Sequence, residues 1–90
     1  MEQTVKLSSV IKNGTDEISE ITLREPTGLD VTKLGVPFFF HGEDMKIDMS
    51  VVAGYISRLG AVPPSVVNKI SPKDMINFAG VVGGFFGDMG

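Results

Sequence analysis

Near the start of the chain, apolar residues alternate with polar ones in two short runs. Residues 4–12 read TVKLSSVIK and residues 17–24 read EISEITLR, both rich in β-branched side chains. A period of two with that composition predicts strands half-buried on one face. NGTD lies between them, and Asn13 and Gly14 tolerate the positive φ of a tight reversal, so the pattern predicts an antiparallel β-hairpin. Matching the alternations sets Val5 opposite Leu23 and Leu7 opposite Ile21, with Val10 opposite Ile18 on the other face. Such a ribbon is marginal alone. Its apolar face has to rest on helices or on another chain.

The period then lengthens. Pro26 ends the second strand, and Thr27 followed by Asp30 is an acidic form of the capping box, predicting a short helix to Leu34 that Gly35 closes. Residues 36–47, VPFFFHGEDMKI, follow neither period and are expected to form a loop whose phenylalanines cover the core. Asp48 is an N-cap for a helix with Met49, Val52, Ile56 and Leu59 on one face and Ser50, Gly54, Ser57 and Arg58 on the other, closed by Gly60. Pro63-Pro64 leads into a short helical turn through SVVNKI. Ser71, Pro72 and Asp74 open a last helix. The fold class expected is α+β: one domain over residues 1–90, with an N-terminal antiparallel β-hairpin (1–25) followed by a part with three to four α-helical segments (26–90), the terminal one over 71–89.

That terminal helix is unusual. At about 100° per residue, Met75, Ile76, Phe78, Ala79, Val82, Phe85, Phe86 and Met89 cover a face wider than a core stripe, while Gly80, Gly83, Gly84 and Gly87 gather within a quadrant behind them. Each interior glycine costs about 1 kcal/mol relative to alanine. In one reading the glycines let the helix lie close against another element and the wide face is core. In the other the helix is weak alone and becomes ordered when its aromatic face docks on a partner, with Phe78, Val82, Phe85 and Met89 at anchor spacing; the two also combine. The candidate partner-binding residues are therefore Met75, Ile76, Phe78, Val82, Phe85, Phe86 and Met89, with Phe38, Phe39 and Phe40 as a second surface.

Composition narrows the classes. The chain has 90 residues and a net charge of −3, and at this size folding buries only about 60 to 65% of the unfolded chain's surface. Residues 1–45 carry four basic and eight acidic side chains and residues 46–90 four and three. The basic residues are scattered singly, so no nucleic-acid footprint exists. Without cysteine there is no disulfide framework and no thiolate for zinc or catalysis. The N-terminus lacks the pattern of a signal peptide and no stretch approaches the roughly 20 apolar residues of a membrane span. The expected setting is cytoplasmic, with no membrane partner.

Chemistry-bearing groups are sparse. His41 stands alone among histidines, and His41, Glu43 and Asp44 in one turn make a poor metal set. The serines have no nucleophile elbow. Glu17, Glu20 and Glu25 read as the solvated side of the hairpin, and GVVGG lies inside a helix with no following lysine, unlike a phosphate cradle. No enzyme, cofactor or metal is expected.

Three segments in order carry a resemblance. LREPTGLD (23–30), RLGAVPP (58–64) and SPKD opening a helix that ends in GFF (71–74, 84–86) resemble the small phage tail assembly chaperones of Mu-like contractile-tailed phages, over most of the chain. The resemblance implies a chaperone of virion assembly, from a phage or prophage, that binds the tail tape measure protein through apolar contacts. It would keep that protein soluble in the bacterial host cytoplasm until the tail tube polymerises, and would not remain in the mature virion. It also implies a frameshifted longer form of the chain, and a uridine run encoding Phe85-Phe86 would suit the slippage. A homo-oligomer is expected. The alternative reading is a structural or scaffold tail protein acting as a homo-oligomer.

Overall fold

The computed structural model describes residues 1–87. It has the expected N-terminal antiparallel hairpin, β1 (Gln3–Asn13) and β2 (Asp16–Leu23), followed by four helices and a small second hairpin. Gly14 takes the positive φ of the first turn, +66°, and Thr15 does not, the pattern of a type II′ reversal.

The pairing of β1 with β2 differs from the alternation's simplest match. Val5 faces Ile21 and Gln3 faces Leu23, whereas beyond an irregularity Ile11 faces Ile18. Leu7, Ser8, Ser9 and Val10 stand against Ser19 alone. A local excess of residues on one strand bends it and takes its N–H groups off the ladder, so no uniform register describes both ends. Val10, matched by alternation with Ile18, gives that place to Ile11 and is exposed.

Helix α1 (Gly28–Leu34) begins at Thr27 with both halves of the capping box formed, and Gly35 follows it at φ +80°. Helix α2 (Met49–Gly60) is capped by Asp48, whose side chain accepts the N–H groups of Ser50 and Val51. It lies at the centre of the domain. Val52, Tyr55, Ile56 and Leu59 are buried against Val5, Ile11, Ile21 and Leu23 of the hairpin, Val66, Val67 and Ile70 from α3 (Pro64–Val67) and its exit, and Phe78, Ala79 and Val82 of α4 (Pro72–Phe85). Tyr55, which lies outside the expected stripe, is fully buried, and its hydroxyl donates to the Gly35 carbonyl.

The end of α2 corrects the role expected of Gly60. It is the helix's last residue, and the left-handed position falls on Ala61 at φ 53°. A Cβ on Gly60 would come within 2.7 Å of Ile21 Cγ2 and 3.2 Å of Leu23 Cδ2. There the backbone of α2 meets β2, and the Arg24 N–H donates to the Leu59 carbonyl at 3.2 Å. Close approach, rather than the turn, claims the glycine.

A second correction concerns residues 36–47. Instead of a loop they form a hairpin, β3 (Phe38–His41) and β4 (Asp44–Ile47), reversed at Gly42 with φ +68°. Its pairs are Phe38 with Ile47, Phe39 with Lys46, Phe40 with Met45 and His41 with Asp44. The three consecutive phenylalanines hid the alternation, because the period of two shows only when both strands are laid side by side.

Candidate docking surface

Polar residues of the first two sequence segments converge on one buried carboxylate, and those of the third meet β1. Asp30, 1% exposed, receives Arg24 as a fork: Nη1 donates to Oδ2 at 2.7 Å and Nη2 to Oδ1 at 3.0 Å. The Thr27 N–H donates to Oδ2 at 2.7 Å, and Arg58 Nε donates to Oδ1. The end of β2, the start of α1 and the end of α2 are thus held by one carboxylate. Burying a charge is costly unless it is paired and fully hydrogen-bonded, and here both oxygens are occupied. The Arg24 and Arg58 bonds hold the Asp30 carboxyl well below the usual carboxylate range, against the opposing effect of burial. Asp30 in turn raises the Arg24 guanidinium, while burial first, then the nearby Asp30 charge, pushes the Tyr55 hydroxyl up.

Asp74 plays a similar part. Its Oδ2 accepts the Ser8 N–H and the Ser8 hydroxyl, each at 2.9 Å, and its own N–H donates to Ser71 Oγ at 3.2 Å. The bond from the Ser8 N–H, ahead of the other contacts, lowers the Asp74 carboxyl from its ordinary value. These motif residues therefore build the frame. The sequence pattern assigns Asp30 and Asp74 to helix starts alone, because separations of 28 residues to Arg58 and 66 to Ser8 put these partners beyond local patterns.

The terminal helix uses its stripe internally. Phe78 and Val82 are fully buried, Met75, Phe85 and Phe86 are half-buried, and Ile76 is exposed. While this fold is intact, Phe78 and Val82 have no surface to offer, so the anchor series Phe78, Val82, Phe85 and Met89 is not presented as a set. Met89 lies outside the described residues. Nor do these glycines serve close approach among the described residues, where a Cβ at Gly80, Gly83 or Gly84 would meet no atom within 4 Å.

Among the described residues, four of the exposed large apolar side chains gather on the second hairpin: Phe39, Phe40, Met45 and Ile47. Side chains alternate across a strand, so Phe38, Phe40, Met45 and Ile47 share one face, and Phe39 lies on the other with Lys46, His41 and Asp44. Phe40 is 65% exposed, Ile47 52%, Met45 51% and Phe39 50%. At the base of the apolar face, the Phe38 ring meets the Phe86 ring edge-on with centroids 5.9 Å apart, and Phe86 meets Tyr55 in the same manner at 5.7 Å. The Asp48 N–H donates to the Pro37 carbonyl at 2.8 Å where the strand returns to α2. The two candidate surfaces are thus joined: half-buried Phe86 of the terminal helix supports Phe38, and the face beyond it opens to solvent.

Among the described residues, no group of three or more His, Asp or Glu side chains is arranged to hold a metal ion, and no helix is long and apolar enough to cross a membrane. His41 and Asp44 face each other across the turn as a cross-strand pair.

A family model described as phage tail assembly chaperone proteins, E, or 41 or 14, matches residues 4–87 of this chain. No curated protein and no solved structure matches it.

Proposed function

Because the chain belongs to the phage tail assembly chaperone family, we propose that it binds the tail tape measure protein and keeps it soluble until the tail tube polymerises, using the apolar face of the second hairpin. The observation that carries this reading is the exposure of Phe40, Met45 and Ile47 on one face of an isolated two-stranded ribbon. Contiguous apolar patches of this sort mark protein interaction sites, and a short hairpin with little support from the body is inexpensive to reshape around a partner. The contacts are non-catalytic. Phe39, on the opposite side of the same hairpin, adds to the apolar surface available to a long helical client. The chaperone acts in the host cytoplasm and leaves before the tail is complete.

Co-expression of the tape measure protein with this chain tests the proposal. The wild-type chain is expected to keep the tape measure protein in the soluble fraction, and the double variant Phe40→Asp, Met45→Asp to lose that effect while melting at the same temperature. Equal solubility with the variant would exclude the hairpin face. The unpaired outer edges of β3 and β4 also favour a second reading, in which copies of the chain associate as a structural component; recovery of the chain in purified tails would support it.

A further inference from the structure

Helices α1, α2 and α3 leave between them a groove of about 460 Å³, lined by Leu34, Ala53, Gly54, Pro64, Val67 and Arg58 among others. Among the described residues, Arg58 is the only charged side chain in the lining. Among the described residues its one partner is Asp30, reached through Nε. Asp30 already holds the Arg24 fork and the Thr27 N–H and hydroxyl, so two guanidiniums share one carboxylate and the cluster keeps an unbalanced positive charge. The terminal nitrogens of Arg58 are left for another acceptor, on a side chain that is 34% exposed. Ser57, also in the lining, donates its hydroxyl to the Val62 carbonyl and so holds the α2–α3 connection.

From this combination of an apolar trough and a guanidinium with open donors, we infer that the groove docks an amphipathic helix of a protein partner, whose aliphatic side chains fill the trough and whose Asp or Glu pairs with Arg58. A planar guanidinium donates two parallel bonds to a carboxylate, and among the described residues no acidic group in the lining competes for it. Helix-in-groove docking lays the apolar face of an amphipathic helix into a hydrophobic groove, and Arg58 at the rim adds a partner for one acidic residue of that helix. The site is separate from the second hairpin and stands whether or not that hairpin holds the tape measure protein.

The test uses two helical peptides of about four turns, with leucines at i, i+4 spacing and identical except for one glutamate or one lysine in the turn that follows. Each is titrated into the isotope-labelled full chain and followed by amide and Arg side-chain NMR signals. The glutamate peptide is expected to shift the signals of Ala53, Gly54, Ser57, Asn68 and Arg58 Nε, and to bind about tenfold more tightly than the lysine peptide. Asn68→Glu, at an exposed lining position outside the Asp30 cluster, is expected to remove that preference without changing the melting temperature. Equal affinity for the two peptides, no binding by either, or shifts confined to residues 38–47 would overturn the inference.

Discussion

Asp74 accepts the backbone N–H of Ser8 at 2.9 Å, across 66 residues of sequence. Ser8 belongs to the stretch of β1 that has left the ladder, so its N–H lacks a strand partner, and a carboxylate in the first turn of α4 supplies one. One contact thereby satisfies the irregular strand, places a negative charge at the positive end of a helix dipole, and docks the terminal helix on the hairpin.

Asp74→Ala is expected to raise amide exchange across residues 8–11 by about tenfold or more and to lower the melting temperature. Asp74→Asn retains an acceptor oxygen and should lie between. Hydrogen exchange read residue by residue checks both; unchanged exchange in the variants would mean the contact carries no weight.

Acid should unfold the protein through its paired carboxylates. Asp30, Asp74 and Asp48 all have carboxyls lowered in the folded state. A lowered folded value means that the stabilisation is fully present above the unfolded value, about 3.9 for aspartate, and is lost as pH falls through and below it. Melting temperature is therefore expected to be flat with respect to these groups above about pH 5 and to drop steeply below about pH 4. Asp30→Asn should melt lower at neutral pH and show a shallower acid slope, measured by circular dichroism across a pH series.

Residues 60 and 61 respond in opposite directions. Gly60→Ala forces a methyl against Ile21 and Leu23, and overpacking of this kind costs about 1–3 kcal/mol. Ala61→Gly relieves a non-glycine residue at φ 53° and is expected to stabilise by up to about 1 kcal/mol, less the added freedom of the unfolded chain. Urea titration of the two single variants decides the signs.

The exposed glycines of the terminal helix give a further check. With open space around Gly80 and Gly84, alanine at each should stabilise the free protein by about 1 kcal/mol through helix propensity alone. Loss of stability in the double variant would reveal a contact that the fold does not show.

What could be read from the sequence was local. Thr27, Asp48 and Ser71 signal helix starts within three residues of the N–H groups they cap, and Gly14 marks its own turn. The helix period of α2 likewise puts Val52, Ile56 and Leu59 on one face, the buried one, whereas that of α4 leaves Phe78 and Val82 open between core and partner. The register of β1 could not be read, because its irregularity is held by Asp74 from the far end of the chain. The second hairpin escaped for another reason: Phe38, Phe39 and Phe40 are all apolar, so alternation is invisible until Met45 and Ile47 are paired across from them. As for the candidate surface, apolar composition alone did not distinguish Phe78, which is consumed by the core, from Phe40, which is left outside it. Both are phenylalanines in apolar surroundings, and only the third dimension separates them.

The most direct test is hydrogen exchange of the chain alone and in complex with a soluble tape measure segment. New protection is expected to concentrate in residues 38–47 at the second hairpin, with β1, β2 and the buried part of α4 unchanged. Protection gained elsewhere with the hairpin amides unaltered, or no gain anywhere in a complex that demonstrably forms, would contradict it.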